Sequence, residues 1–167
     1  MKSRTRAFRD ARKLGNVTRI AGTNGRKSRE LAVAASHVVA KRMTLGAAAM
    51  IDPRNADHVE FAKIIPEKTT AFSNAGMALL QGSSEAAVRM ANFTTSELAT
   101  AAKAAVEIAS CRTPAGVIAA QSRFATAWFA RVLSQSIVLA SLAMRSQGTA
   151  MAPIYRAATA NARRLSR

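Results

Sequence analysis

Residues 114–147 read PAGVIAAQSRFATAWFARVLSQSIVLASLAMRSQ, and this stretch decides the fold class. With each residue advancing by about 100° around a helix axis, the large apolar side chains share one arc and the arginines lie opposite. The arc contains Ile118, Ala125, Trp128, Phe129, Val132, Leu139 and Leu142. The opposite side carries Arg123, Arg131 and Arg145, while Ile137 and Val138 interrupt the pattern. This pattern predicts an amphipathic helix that covers its arc with other helices or with a hydrophobic phase.

The composition of the whole chain indicates an all-α protein with little bulky core material. Hydrophobic residues make up 49% of the 167 residues, but nearly half of them are alanine and only 5% of the chain is aromatic. Alanine favours helix strongly but buries little area, so a compact core built from it would be shallow. We therefore expect elongated amphipathic helices that form an alanine-rich helical bundle or a loose coiled coil.

Capping signals predict a first and a second helix. Ser28 fits the N-cap of a helix that ends at Asp52, before a proline. Asp57 and Glu60 then fit a capping box for a helix that runs to about residue 110. Pro66 is expected to kink this second helix or to move its start.

A third helix is predicted to begin at Thr113, which is followed by a proline in the first turn. Gly148 is expected to end this helix. Pro153 then opens a short basic tail helix.

An apolar column repeats every seven positions along the second helix. It consists of Ile65, Phe72, Leu79, Ala86 and Phe93. The companion positions are small or polar, which favours a loose bundle over a tight two-stranded coiled coil. The column either fills the core of a bundle or contacts a hydrophobic partner.

Basic residues are concentrated at the two ends of the chain. Residues 1–29 carry a net charge of +9, residues 30–110 carry −1 and residues 111–167 carry +8, which gives +16 in total. The first segment contains several glycines and has no sustained period, which predicts a disordered basic arm (1–29) before a helical domain (30–167). The arm residues that could contact a polyanion are Arg4, Arg6, Arg9, Arg12, Lys13, Arg26, Lys27 and Arg29.

Five short blocks carry a resemblance to a known family. They are HVVAKR at 37–42, DHVEF at 57–61, EKTTAF at 67–72, QSRF at 121–124 and PI at 153–154. Together they resemble the phasins, small helical proteins that coat polyhydroxyalkanoate storage granules in bacteria. The chain departs from the family pattern at Pro66, and its basic extension lacks the Lys-Ala-Pro repeats of the phasin tails that bind DNA.

The resemblance implies a non-enzymatic coat protein in the cytoplasm, on storage granules, that stabilises granule size and dispersion. Its implied partners are the granule surface, further copies of the same chain, and the granule synthase or depolymerase. The residues predicted to contact the granule surface or another copy are Phe61, Ile65, Phe72, Leu79, Phe93, Ile118, Trp128, Phe129, Val132, Leu139 and Leu142.

A second hypothesis is a nucleoid-associated helical protein that binds DNA without sequence preference, or a bridge from granule to nucleoid. The apolar arc around Trp128 favours the coat protein, because DNA binding does not require it. The basic arm, which contains several glycines, favours the second hypothesis, because adsorption to a granule does not require such an arm.

Other functional classes find little support in the sequence. His37 and His58 are the two histidines, and no Gly-x-Ser-x-Gly motif is present, so no catalytic residues are predicted. With Cys111 as the sole cysteine, neither a metal site nor a bound cofactor is expected. The best apolar run, residues 132–144, is interrupted by polar residues and is shorter than the ~20 residues that a bilayer requires, so no transmembrane segment is predicted.

Overall fold

The computed structural model describes the backbone of residues 2–166 and the side chains of residues 8–166. Within this part of the chain the secondary structure is helical, with no strand: α1 spans Lys2–Ile51, α2 spans His58–Ala109 and α3 spans Pro114–Leu165. A single 3-10 turn, Pro53–Asn55, lies between α1 and α2. The prediction of an all-α protein is confirmed.

The predicted starts of the second and third helices are confirmed by their capping hydrogen bonds. The Glu60 backbone N–H donates to Asp57 Oδ1 at 2.8 Å, as in the first half of a capping box. The Gly116 backbone N–H donates to Thr113 Oγ1 at 3.1 Å, which caps α3.

The predicted disorder of the basic arm is wrong, because α1 runs without a break from Lys2 through the supposed boundary at residue 29. Glycine and charge lower the helix propensity of this segment, but contacts with α3 offset that deficit. Ser134 donates to Asp10 Oδ1 at 3.2 Å, and the buried Asn24 bonds to α3.

Helix boundaries predicted at Pro66, Gly148 and Pro153 are also absent from the structure. Helix α2 begins at His58 and continues through Pro66, so its start has not moved to the proline. Helix α3 continues through both Gly148 and Pro153, so there is no separate tail helix.

Gly148 does not end a helix, and it instead allows α1 and α3 to pack closely. The Asn24 side chain donates to the Met144 carbonyl at 2.8 Å and to Gln147 Oε1 at 3.3 Å. A Cβ on residue 148 would lie 2.9 Å from Asn24 Oδ1, which is too close for ordinary contact. The glycine therefore gives this buried asparagine room to bond to α3.

Contacts divide the chain into two compact units, each made of segments from all three helices. Unit 1 contains Met1–Val17 and Gly82–Ala143, and unit 2 contains Thr18–Gln81 and Met144–Arg167. In unit 1, Glu97 bonds to Arg131 and Glu107 bonds to Arg123, so the α2 and α3 segments are antiparallel.

In unit 2 the α1 and α3 segments run parallel. Asn24 bonds to the Met144 carbonyl, Ser28 donates to the Met151 sulfur at 3.2 Å, and Tyr155 donates to Glu30 at 2.7 Å. Polar contacts therefore recur along this pair of segments.

Small side chains form the core of both units. The buried apolar residues among the described side chains are Ala34, Val38, Ala71, Ala75, Ala120, Ile137 and Ala150. None of the large side chains described is fully buried. Alanine allows helices to approach closely, which leaves little space for the largest side chains at those contacts.

A cluster of charged groups joins the three helices of unit 2. Glu60 on α2 is 3% exposed and accepts hydrogen bonds from Arg42 on α1 and Arg164 on α3. Glu67 also accepts from both arginines, at 3.0 Å each, and from Asn161 at 2.8 Å. Burial alone would lower the pKa of Arg42, but its bonds to the two carboxylates outweigh that effect and raise the pKa. Removing one partner of such a buried pair costs about 3–5 kcal/mol.

The Gly148 contact predicts opposite effects for two identical substitutions. Gly148→Ala should lower the free energy of unfolding by about 1–2 kcal/mol, because the displaced Asn24 loses buried hydrogen bonds worth more than alanine gains in helix propensity. Gly25→Ala is the matched control, since a Cβ there meets nothing within 4 Å. It should raise the free energy of unfolding by about 1 kcal/mol. Urea denaturation followed by circular dichroism measures both changes, and equal stabilisation by the two substitutions would contradict the role given to Gly148.

Candidate functional site

Helix α3 turns its arginine-bearing side toward α2 in unit 1. Arg131 donates to Glu97 through Nε at 2.5 Å and through Nη2 at 2.9 Å. Arg123 donates to Glu107 at 2.5 Å. The Arg131 guanidinium also lies 5.9 Å from the centre of the Phe124 ring. Two of the three arginines that the sequence places opposite the apolar arc, Arg123 and Arg131, therefore pair with α2, and Arg145 is exposed.

The apolar side of the same helix faces outward. Ile118 is 64% exposed, Phe129 is 65% exposed and Leu133 is 62% exposed. Trp128 is 39% exposed and packs edge-on against Phe129, with ring centres 5.0 Å apart. We call these four residues the α3 outer arc. Leu133 is absent from the predicted set, although its spacing of four residues from Phe129 places it beside that ring.

The remaining predicted residues of α3 lie at the margin of the arc. Val132, Leu139 and Leu142 are half-buried. Ile137, which interrupts the periodic pattern, is 5% exposed and belongs to the core. The interruption in the sequence therefore marks an inward-facing position.

The seven-residue column of α2 also lies largely outside the core. Ile65, Phe72 and Leu79 are each more than half exposed, and we call them the α2 outer column. They belong to unit 2, whereas the half-buried Phe93 belongs to unit 1. Phe61, near the start of α2, is half-buried as well. The sequence left two interpretations open for this column, the core of a bundle or contact with a hydrophobic partner. The three residues of the α2 outer column are too exposed to form a bundle core.

Sequence reasoning missed a larger set of exposed apolar residues on all three helices. The large apolar residues outside the predicted set that are more than half exposed include Phe8, Val33, Val39, Met43, Met50, Ile51, Val59, Met77, Leu80, Val88, Leu98, Val106 and Leu133. Four-residue spacing could have revealed one pair, Val39 and Met43. Most of the others follow neither a seven-residue column nor an arc, so only the tertiary structure reveals their exposure.

Comparison with known families assigns the chain. The sequence model described as "Phasin protein" matches residues 60–162, which is more than half of the chain. The chain belongs to the phasin family. The resemblance noted from the sequence blocks is thereby confirmed. The match covers nearly all of α2 and α3, while α1 lies outside it. Searches of curated proteins and of solved structures give no significant match.

Family membership establishes the function in outline. Phasins are structural, non-enzymatic proteins associated with polyhydroxyalkanoate granules in the cytoplasm, so the family implies binding to the granule surface. In this phasin the described residues contain no group of three or more histidine, cysteine, aspartate or glutamate side chains arranged to hold a metal ion.

The predicted polyanion contacts of this phasin lie on α1, a helix in place of a flexible arm. Arg12, Lys27 and Arg29 are exposed. Lys13 lies 3.8 Å from Asp10, and Arg26 lies 3.9 Å from Glu30. Arg9 is exposed and makes an interaction of its own. The side chains of Arg4 and Arg6 lie outside the described residues.

Helix α3 is long and apolar enough to cross a membrane by length and composition, with a window of mean hydropathy 1.4 that is 6% buried. The sequence prediction of no transmembrane segment rested on a shorter run, residues 132–144. A single such helix is weak evidence for insertion, because length and composition do not distinguish a spanning helix from one that lies on a surface.

The Arg131–Glu97 pair predicts a pH-dependent stability. The hydrogen bonds from Arg131 lower the pKa of Glu97, against the effect of burial. The stabilisation is therefore complete above the unfolded pKa of about 4.3 and is lost as pH falls through the lower folded pKa. We expect Glu97→Gln to be less stable than the unchanged protein at about pH 7, with the difference shrinking toward about pH 3.

Urea midpoints of both proteins across this pH range measure the effect. Glu85→Gln is the control, because Glu85 pairs within α2, with Arg89 at 2.8 Å, and both side chains are about half exposed. Its effect on the midpoint should be small at every pH. A Glu97→Gln difference that does not change with pH would refute the assignment.

Proposed function

We propose that this phasin coats polyhydroxyalkanoate granules by laying the α3 outer arc against the polyester. The observation that supports this role is the orientation of α3, whose Arg131 is 23% exposed and pairs with Glu97, while Ile118, Phe129 and Leu133 are each more than 60% exposed. A soluble monomer gains nothing from this arrangement, whereas a protein that meets a hydrophobic phase gains the transfer of its outer residues.

The exposed apolar side chains of the α3 outer arc support a partner of large apolar area. The four residues of the α3 outer arc are 39–65% exposed, so moving their exposed parts out of water would supply roughly 3–7 kcal/mol before ordering costs, at about 1.5–3 kcal/mol for a fully exposed side chain. That range is sufficient for reversible adsorption.

The α2 outer column offers a second apolar surface, in unit 2. It would either contact the same granule or pair with another copy of the chain, and self-association would shield it in the absence of polymer. The exposed cations of α1 would remain in water, where like charges keep coated particles apart. Contacts with the granule synthase or depolymerase stay a prediction from the family resemblance.

Adsorption should depend on the α3 outer arc. A variant with Ile118→Ser, Phe129→Ser and Leu133→Ser should bind polyester particles at least tenfold more weakly, because three large exposed side chains lose their transfer free energy. Co-sedimentation with polyhydroxybutyrate particles measures the affinity, and circular dichroism checks helix content.

The matched control changes three exposed apolar residues of α2 in the same unit, Val88, Leu98 and Val106, to serine. These substitutions should weaken adsorption less than those in the arc. If both variants weakened adsorption equally, adsorption would depend on the amount of exposed apolar surface and not on the α3 outer arc in particular. Unchanged adsorption of the arc variant would remove α3 as the anchor.

DNA binding, alone or as a bridge from granule to nucleoid, is a second candidate function. The net charge of +16 and the exposed Arg12, Lys27 and Arg29 favour it. Such binding would be independent of base sequence and would weaken with salt, because phosphates that pair with the protein release their counterions.

Charge substitutions test this function better than deletion of residues 1–29, because α1 contributes Asn24 and Asp10 to the folded structure. A triple variant with Arg12→Gln, Lys27→Gln and Arg29→Gln should reduce the slope of log K against log salt by about 0.9 for each phosphate that the variant no longer neutralises. Mobility shifts at several salt concentrations provide the slope. The control triple, with glutamine at Arg54, Lys63 and Lys103, removes the same charge from other exposed positions. Equal slopes for the two triples would exclude α1 as a specific DNA contact.

A further inference from the structure

Unit 2 contains a pocket whose lining shares no residue with the α3 outer arc. Its volume is about 430 Å³, within the range of small-molecule sites, and all three helices contribute to its wall. Val39 and Met43 come from α1, Ile64 and Phe72 from α2, and Ile154 from α3. Val39, Met43 and Phe72 are more than half exposed, so the pocket presents unfilled apolar surface.

Three charged residues line the pocket, and two of them neutralise each other. Arg42 donates to Glu67 at 3.0 Å, and Glu67 also accepts from Arg164 and Asn161. The third residue, Lys68, is exposed and has no ion-pair partner among the described residues. The pocket therefore combines an apolar wall with one uncompensated positive charge.

This combination selects one chemical class of ligand. An aliphatic chain gains free energy by leaving water for the apolar wall, and a carboxylate at its end complements the Lys68 ammonium. Nucleotides and other multiply charged anions are disfavoured, because most of the lining is apolar. A concave pocket of this size also suits a single chain better than the flat surface of a particle.

We propose that unit 2 binds a single-chain aliphatic carboxylate, with the chain between the three helices and the carboxylate at Lys68. The site shares no residue with the α3 outer arc, but it shares Phe72 with the α2 outer column.

Isothermal titration of the full chain with octanoate, decanoate and decanol, below their aggregation concentrations, tests the proposal. Decanoate should bind in a saturable way, one per chain, and roughly tenfold more tightly than octanoate, since each methylene contributes about 0.8 kcal/mol. Binding that does not saturate, or that is independent of chain length, would overturn the proposal.

Lys68→Glu should weaken decanoate binding by about tenfold or more and leave decanol within about twofold, because the alcohol carries no charge. Lys63→Glu is the control, since Lys63 is an exposed lysine of the same helix that does not line the pocket. Equal decanoate affinity in the two variants would overturn the role of Lys68.

A pocket-filling variant, Ala158→Phe, locates the aliphatic chain. With helix content retained, it should abolish binding of both decanoate and decanol, because a phenyl ring takes the place of the chain. Unchanged decanoate affinity in the folded variant would refute this location. If the variant does not fold, Lys68→Glu compared with Lys63→Glu decides the question, because both positions are on the surface.

Discussion

Close approach of helices through small side chains is the constraint on which the rest of the structure depends. The buried apolar set consists of five alanines, one valine and one isoleucine among the described side chains. Helices that meet through alanine leave little volume at those contacts for phenylalanine, leucine or tryptophan. Many large apolar residues therefore lie on the outer faces of the helices, and others are half-buried. Exposure of apolar surface in this protein follows from how the core is packed.

Polar contacts supply the specificity that an alanine core lacks. Alanines in neighbouring turns are interchangeable, so packing alone would tolerate a shift of one helix along another. Asn24 fits against α3 only where Gly148 leaves room. The cluster of Glu60 and Glu67 with Arg42 and Arg164 requires all three helices of unit 2 to be in register. A hydrogen-bonded group with one geometry fixes an alignment that small apolar groups cannot.

These two features together suit a protein that works at an interface. A conventional bundle hides its large apolar residues and would have to open in order to reach a hydrophobic phase. In this phasin the charged residues Arg123 and Arg131 are satisfied within unit 1, so Ile118, Phe129 and Leu133 are already available. If the protein adsorbs through the α3 outer arc, the core residues can keep their contacts with each other and do not need to contact the polymer. The folded structure can persist on the granule, and with it the pocket beside Lys68.

The sequence by itself determined the helical class, the starts of α2 and α3 and the family. Each of these depends on local signals: alanine propensity, the side chains of Asp57 and Thr113 that cap a helix, and short blocks of residues. The sequence also identified the apolar arc of α3, because periodicity is a property of one helix. It did not determine which side of that helix faces its neighbours.

Only the tertiary structure decided how those signals are used. Residues 2–29 and the stretch around Gly148 and Pro153 contain local features that break helices, yet they are helical, because contacts between α1 and α3 outweigh intrinsic propensity. Periodicity separates an apolar side from a charged side but does not state which is buried, and the ion pair of Arg131 with Glu97, 34 positions away in the chain, fixes that choice. Partners so distant along the chain are brought together by folding alone, so the outward direction of the apolar arc could not be deduced from one helix.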